Sequence, residues 1–171
     1  MTEGSAAGSF EKAVRMHAGA LYRYAYWLAR NRQQAEDIVQ EALLRGWRAF
    51  PRIRDHAAVK TWLFSIVKNE FHRAIAKDAR HAGDIDVAEL DIADERASPF
   101  AMEMRDALTA LPVSYAEPLA LQVLGGFSCA EIAATLQTTE GAVMTRLTRA
   151  RQALRRLVSP LEAKERKGER S

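Results

Sequence analysis

SCAEIAATLQTTEGAVMTRLTRARQALRR, residues 128–156, is the stretch whose reading decides the fold. It reads as a short capped helix, a tight turn and a second helix carrying small polar residues and arginines. Ser128 and Glu131 form a capping box, in which the hydroxyl accepts from the Glu131 N–H and the carboxylate reaches back to the Ser128 N–H. Ile132, Ala133 and Leu136 supply the inward face of the first helix. Gln137, Thr138 and Thr139 break the pattern and turn the chain, although Gly or Asn would suit a left-handed turn position better than Gln. In the second helix Val143, Leu147, Ala150, Leu154 and Leu157 recur at helical spacing and line one apolar face. Met144, Thr145, Thr148, Arg149 and Gln152 fall on the other side, where they can meet base edges and phosphates. This is the layout of a DNA-binding helix-turn-helix. Two amphipathic helices joined by a turn are also common in any helical domain, so the motif alone leaves both readings open.

The chain has 171 residues, enough for one or two small domains. Apolar residues make up 48%, so cores can form and general disorder is excluded. The single cysteine, Cys129, rules out an internal disulfide and fits a reducing compartment. No run approaches the roughly 18 apolar residues of a membrane span. The start, MTEGSAAGSFEK, lacks the features of a signal peptide, so a cytoplasmic protein is expected.

Net charge is only +3, but it is sorted along the chain. Residues 10–77 hold 13 Lys/Arg against 6 Asp/Glu, residues 78–104 hold 2 against 8, and residues 146–171 hold 9 against 3. Two basic blocks flanking an acidic strap suggest two polyanion-binding surfaces joined by a linker.

Upstream, the pattern is helical nearly throughout. Val14, Ala18, Leu21, Ala25 and Leu28 predict a helix over residues 10–29. Asn31 can cap the next helix, with Gln34 three residues on. That helix carries Ala35, Ile38, Val39, Ala42, Leu43, Trp47 and Phe50 as its apolar stripe and stops before Pro51. A loop follows, and Trp62, Leu63, Ile66, Val67 and Phe71 predict a helix from about Lys60. Met102, Met104, Leu108 and Leu111 suggest a helix ending before Pro112. Pro118 could begin a short one that Gly125-Gly126 ends. The tail, EAKERKGERS, is expected to fray. The fold class is therefore all-α: two small helical domains, residues 10–77 and 99–160, joined by an acidic flexible linker at 78–98 and followed by a charged tail at 161–171.

Asp37, Gln40, Glu41 and Leu44 lie at i, i+3, i+4 and i+7, a second stripe distinct from the apolar one. An exposed helix face would explain it, as would a partner with a basic groove. No catalytic constellation is present. There is no glycine-rich phosphate loop, and His17, His56, His72 and His81 lack partners at metal-ligand spacing. No metal, no cofactor and no enzymatic activity are expected.

AEDIVQEALLRGWRAF (residues 35–50) followed by TWLFSIVKNEFHR (residues 61–73) resembles region 2 of the extracytoplasmic-function sigma factors of bacterial RNA polymerase. LTALPVSYAEPLALQVLGGFSCAEIAATLQTTEGAVMTRLTRARQALRRL (residues 108–157) resembles their region 4. The order is that of the family, as is the linker between. The resemblance implies that Asp37, Gln40, Glu41 and Leu44 dock on the β′ clamp helices of core RNA polymerase. It implies that the loop at 51–59 and the following helix capture a flipped −10 base. Arg52, Arg54, Lys60, Trp62, Lys68 and Asn69 could supply the cations, stacking surface and amide that single-strand capture needs, although Trp62 could equally be core. It implies that Gly141, Met144, Thr145, Thr148 and Arg149 read the −35 element, that the second domain meets the β flap, and that the linker threads the polymerase cleft. Two positions depart from the family pattern: Gln137 stands where glycine is frequent, and Met144 where many members carry a longer polar or basic residue. An anti-sigma partner, itself membrane-linked, is implied as well. The reading is an alternative sigma factor directing polymerase to signal-responsive promoters. Its rival is a conventional helix-turn-helix regulator, which would dimerise and bind palindromic sites without polymerase.

Overall fold

The computed structural model describes residues 3–81 and 110–168. All regular structure among them is helical. They fall into two compact units, divided between residues 92 and 93. Most of the helix expected from Met102 to Leu111 and most of the expected linker lie outside the described residues; the last two positions of that helix, 110 and 111, form a turn instead.

The first unit packs three helices, α1 (Glu3–Ala29), α2 (Arg32–Ala49) and α3 (Val59–His81). α1 begins seven residues before Phe10, and α3 carries helix four residues into the stretch expected as linker, through Asp78. Ala29 ends α1 because Arg30 turns left-handed (φ 53°), its N–H closing on the Tyr26 carbonyl at 2.7 Å. Asn31 then caps α2 as expected, accepting from the Gln34 N–H at 2.9 Å. Leu21, Tyr24 and Ala25 of α1 meet Ile38 and Ala42 of α2 and Leu63, Phe64 and Val67 of α3 in the buried core. Tyr24, outside the expected stripe, is wholly buried, its ring 5.3 Å from that of Phe64.

Gly46 occupies the core position one turn beyond Ala42. A Cβ there would meet the Phe10 ring at 3.3 Å and Leu63 Cδ2 at 3.5 Å, so glycine lets the helices close. This displaces Trp47, expected in the apolar stripe, to the flank. It lies edge-on to Phe10 at 5.6 Å and stays 49% exposed.

The second unit contains α4 (Val113–Gly125), α5 (Cys129–Thr135) and α6 (Glu140–Gly168). α4 begins five residues before Pro118, which sits inside it and is buried. A proline there removes the hydrogen bond to the Ser114 carbonyl, and Ser114 is exposed, so water can take its place. Gly126, left-handed at φ 63°, ends the helix with its N–H on the Gln122 carbonyl at 3.1 Å. Leu119, Leu121, Phe127, Ile132, Val143, Leu147 and Ala150 form the core. Burial fades along α6: Leu154 is half-buried and Leu157 largely exposed, because α6 is 29 residues long against 13 for α4. The tail expected to fray is helical as far as Gly168. Its run of Ala, Glu, Lys and Arg favours helix.

Candidate binding surfaces

The α5–turn–α6 unit is built by local hydrogen bonds. Both halves of the capping box are present: Ser128 N–H donates to Glu131 Oε2 at 2.8 Å, and Glu131 N–H to Ser128 Oγ at 3.2 Å. The turn is a Schellman motif, with the Thr138 N–H on the Ala133 carbonyl at 2.9 Å and the Gln137 N–H on the Ala134 carbonyl at 3.4 Å. Gln137 is the left-handed residue it requires, at φ 52°. The position that favours glycine is thus filled by glutamine, at a cost of about 1–2 kcal/mol in backbone strain. Thr139 opens α6, its Oγ1 accepting from the Ala142 N–H at 3.2 Å.

α6 buries Val143, Leu147 and Ala150 and turns Gly141, Met144, Thr145, Thr148 and Arg149 outward, Met144 at 59% exposure. The Thr145 and Thr148 hydroxyls donate back to the carbonyls of Gly141 (3.0 Å) and Met144 (2.9 Å). Each keeps lone pairs to accept with. Nothing lies within 4 Å of where a Gly141 Cβ would be, so packing within the chain does not explain the glycine. Arg149 Nη1 donates to the Tyr115 hydroxyl at 3.4 Å, and Arg151 bonds the Gln122 side chain. Tyr115 and Gln122, both on α4, therefore orient two arginines of the exposed helix. Sequence reading missed them, because no local spacing links positions about 30 residues apart.

In the first unit Asp37, Gln40 and Leu44 are exposed, Leu44 at 52%, and Glu41 is half-exposed. The stripe faces away from Ile38 and Ala42. Gln33 Nε2 donates to Asp37 Oδ1 at 3.1 Å, and Glu41 pairs with Arg45 at 3.1 Å. Half-exposed Trp47 extends it by one turn at its C-terminal end.

The third group is split. Arg52 ends a 3-10 turn, Phe50–Arg52, and Arg54 follows it, both exposed. Asp55 shapes the rest of the loop by accepting from the Ala57 N–H at 2.9 Å. On α3, Trp62 and Asn69 are seven residues apart and share one face at roughly 100° per residue. Asn69 is exposed. Trp62 is half-buried, its ring 6.4 Å from Phe50, so it serves the core with one edge and keeps another accessible. By the same helical rotation Lys60 and Lys68 lie on a flank of α3 away from the Trp62–Asn69 face. The six residues therefore do not form one line: Trp62 and Asn69 make the face, the two lysines lie off it on α3, and the two arginines belong to the preceding turn and loop.

Among the described residues no cluster of His, Cys, Asp or Glu could hold a metal ion, and no helix is long and apolar enough to cross a membrane.

Comparison with known proteins assigns the chain to a family. Residues 13–81 match Sigma-70 region 2, and residues 101–154 match Sigma-70, region 4. The chain is 36% identical over 146 residues to the ECF RNA polymerase sigma factor SigL of Mycobacterium tuberculosis, covering 81% of this chain and 82% of that one. It is 30% identical over 145 residues to the RNA polymerase sigma-H factor of Pseudomonas aeruginosa, covering 75% of each. Among solved structures, the sigma factor RpoE of Bartonella quintana, in complex with the anti-sigma factor NepR, aligns with a TM-score of 0.72 at 26% identity, over 88% of this chain and 96% of that one. CnrH, in complex with the cytosolic domain of CnrY, shares the fold with a TM-score of 0.66. These matches do not favour a conventional helix-turn-helix regulator. With both regions matched in order and relatives similar along most of their length, the chain belongs to the sigma-70 family and is an alternative sigma factor of its extracytoplasmic-function group.

Proposed function

We propose that this sigma factor docks on core RNA polymerase through Asp37, Gln40, Glu41 and Leu44, and brings two DNA-reading surfaces to promoters. The exposed face of α6, with Gly141, Met144, Thr145, Thr148 and Arg149, takes the −35 element. The threonines and Arg149 supply donors and acceptors for base edges and phosphates. Gly141, at the start of the helix, admits close approach of the DNA backbone where any side chain would intervene. The −10 strand is captured after melting by the Trp62–Asn69 face of α3. There the Asn69 amide both donates to and accepts from a base edge, and the Trp62 edge offers a stacking surface. Arg52, Arg54, Lys60 and Lys68 add sequence-independent attraction that falls with salt. The stretch at residues 78–98 acts as an acidic link through the polymerase cleft, and the second unit meets the β flap.

The observation that carries this reading is the pairing, in one chain, of an exposed acidic stripe on an otherwise basic helical unit with a capped helix-turn-helix. The protein works in the cytoplasm and catalyses no reaction itself. It is held inactive by an anti-sigma factor, linked to the membrane, that covers both the polymerase- and DNA-binding surfaces. The complex of one structural neighbour with an anti-sigma factor supports a partner of that kind. The test is reconstitution: purified protein, core polymerase and genomic promoter fragments, with transcription starts mapped. New starts sharing −35 and −10 motifs are expected. DNA binding as a dimer to palindromes without polymerase would overturn the reading.

A further inference from the structure

Between Glu11 and Glu36 the chain carries five Lys and Arg and no Asp or Glu over the 24 residues 12–35. Most of that run is α1. At about 100° per residue, Lys12, Gly19 and Arg23 stand within about 40° of one another, opposite buried Leu21, and Arg15, Tyr22 and Tyr26 follow along one flank. Lys12, Arg15, Gly19 and Arg23 are exposed, as is Met16 at 67%, and the two tyrosines are half-exposed. Lys12 and Arg23 make no ion pair among the described residues, whereas on α2 both Arg32 and Arg45 are paired with acids. Arg15 pairs with Glu11 only at the open surface, where such a pair contributes little. The Arg23 guanidinium lies back over Gly19, its Nη1 3.3 Å from where a Cβ would stand, so the glycine leaves a flat seat for it. The Tyr22 and Tyr26 rings are stacked, 6.3 Å apart at 25°. A solvated helix face mixes both signs of charge. This one, apart from Glu11 at its edge, carries a single sign interleaved with aromatic rings.

We propose that this face of α1 binds a DNA single strand without regard to sequence, as a surface separate from those for the −35 and −10 elements. Phosphates take Lys12, Arg15 and Arg23, and a base extends the Tyr22–Tyr26 stack. Lys12 to Arg23 spans about 16 Å, or roughly five nucleotides of a stacked strand at about 3.4 Å each. The tyrosines select a single strand, because a base offers its face to a side chain only when it is free of its own stack. The strand is DNA because promoter melting, the role proposed above, frees one beside this unit; only that choice of strand rests on that reading. The face supplies affinity and no base readout, and its hold weakens with salt.

The test uses the full chain and a short oligo-dT strand carrying photoreactive 5-bromodeoxyuridine. Cross-links are mapped by mass spectrometry, and the yield on α1 is titrated with strand at several salt concentrations, which reports this face apart from the chain's other basic surfaces. Cross-links at Tyr22 or Tyr26 are expected. Lys12→Ala/Arg23→Ala should lower the slope of log affinity against log salt by about 1.4, at about 0.7 per cation, and the affinity at about 0.1 M salt by about twentyfold. Gly19→Glu should also weaken binding, by giving Arg23 a carboxylate partner at i, i+4. That pair supports the helix, so the loss does not come from unfolding, and circular dichroism checks this for both variants. Wild-type cross-linking on α1 in either folded variant overturns the proposal. Three other results overturn it as well: a duplex of equal length cross-linking as strongly as the strand, an oligo-U RNA captured more tightly, or polyglutamate shielding α1 where the strand does not. They would assign the face to duplex DNA, to RNA or to an acidic protein. The probe carries neither promoter element, so failure of the −35 or −10 assignment leaves these outcomes unchanged.

Discussion

Reversing the acidic stripe with Asp37→Arg and Glu41→Arg separates docking from folding, and the structure sets the size of both effects. On the stability side, the change removes the Gln33–Asp37 hydrogen bond and the Glu41–Arg45 pair, both at i, i+4 on exposed helix surface. Each is worth about 0.3–0.5 kcal/mol. It also creates two like-charge i, i+4 neighbours, 37 with 41 and 41 with 45, costing a similar amount each. Arg is a better helix former than Asp, which returns a few tenths of a kcal/mol. Arg45 keeps Glu70. The net loss is about 1 kcal/mol, against the roughly 5–15 kcal/mol of a folded domain, so the variant stays folded. At an interface, reversal of charges facing a basic groove costs several kcal/mol. At 1.4 kcal/mol per decade, a loss of about 3 kcal/mol is a fall of over a hundredfold in core affinity. Circular dichroism with thermal melting, and titration of fluorescent sigma factor with core polymerase, measure the two quantities on the same samples. A folded variant that binds core with wild-type affinity refutes the assignment of this stripe.

Three further outcomes are expected. Arg149→Ala and Thr145→Ala should weaken promoter use; a lost base contact costs about 1–3 kcal/mol and relaxes preference at one position, whereas a lost phosphate contact weakens all sequences alike, and sequence-selection profiles of the holoenzyme decide which. Asn69→Ala, at an exposed site, should shift stability by less than about 0.5 kcal/mol yet abolish discrimination at one unpaired −10 base; early melting with discrimination intact would make Asn69 structural. Gln137→Gly relieves about 1–2 kcal/mol of left-handed strain and gives back about 0.5–1 kcal/mol in unfolded-chain entropy. A gain of about 0.5–1 kcal/mol in urea denaturation is therefore expected, and a loss would mean that the Gln137 side chain itself stabilises the turn.

What the amino-acid sequence determined on its own is what depends on neighbours along the chain. Capping is of this kind: Asn31 to Gln34 and Ser128 to Glu131 are three residues apart, and their bonds form wherever a helix starts. Periodicity is too, so the buried positions Val143, Leu147 and Ala150 and the outward ones Thr145, Thr148 and Arg149 were legible before any coordinates. Spacing likewise separated Asp37, Gln40, Glu41 and Leu44 from the core stripe. Tertiary structure decided whatever depends on which helix comes to lie against which. Gly46, and not Trp47, became a core position because Phe10 and Leu63 pack close against it, a Cβ there already lying within 3.3 Å of the Phe10 ring. Pro118 could be held inside α4 because burial against the unit's core outweighs one lost backbone bond. Gln137 was forced left-handed because the Schellman turn between α5 and α6 needs that geometry whatever residue occupies it. Tyr115 reached Arg149, and Arg45 reached Glu70, across helices whose sequence separation hides the contact. Local rules act over one or two turns of helix, whereas contacts between helices exist only once the helices pack.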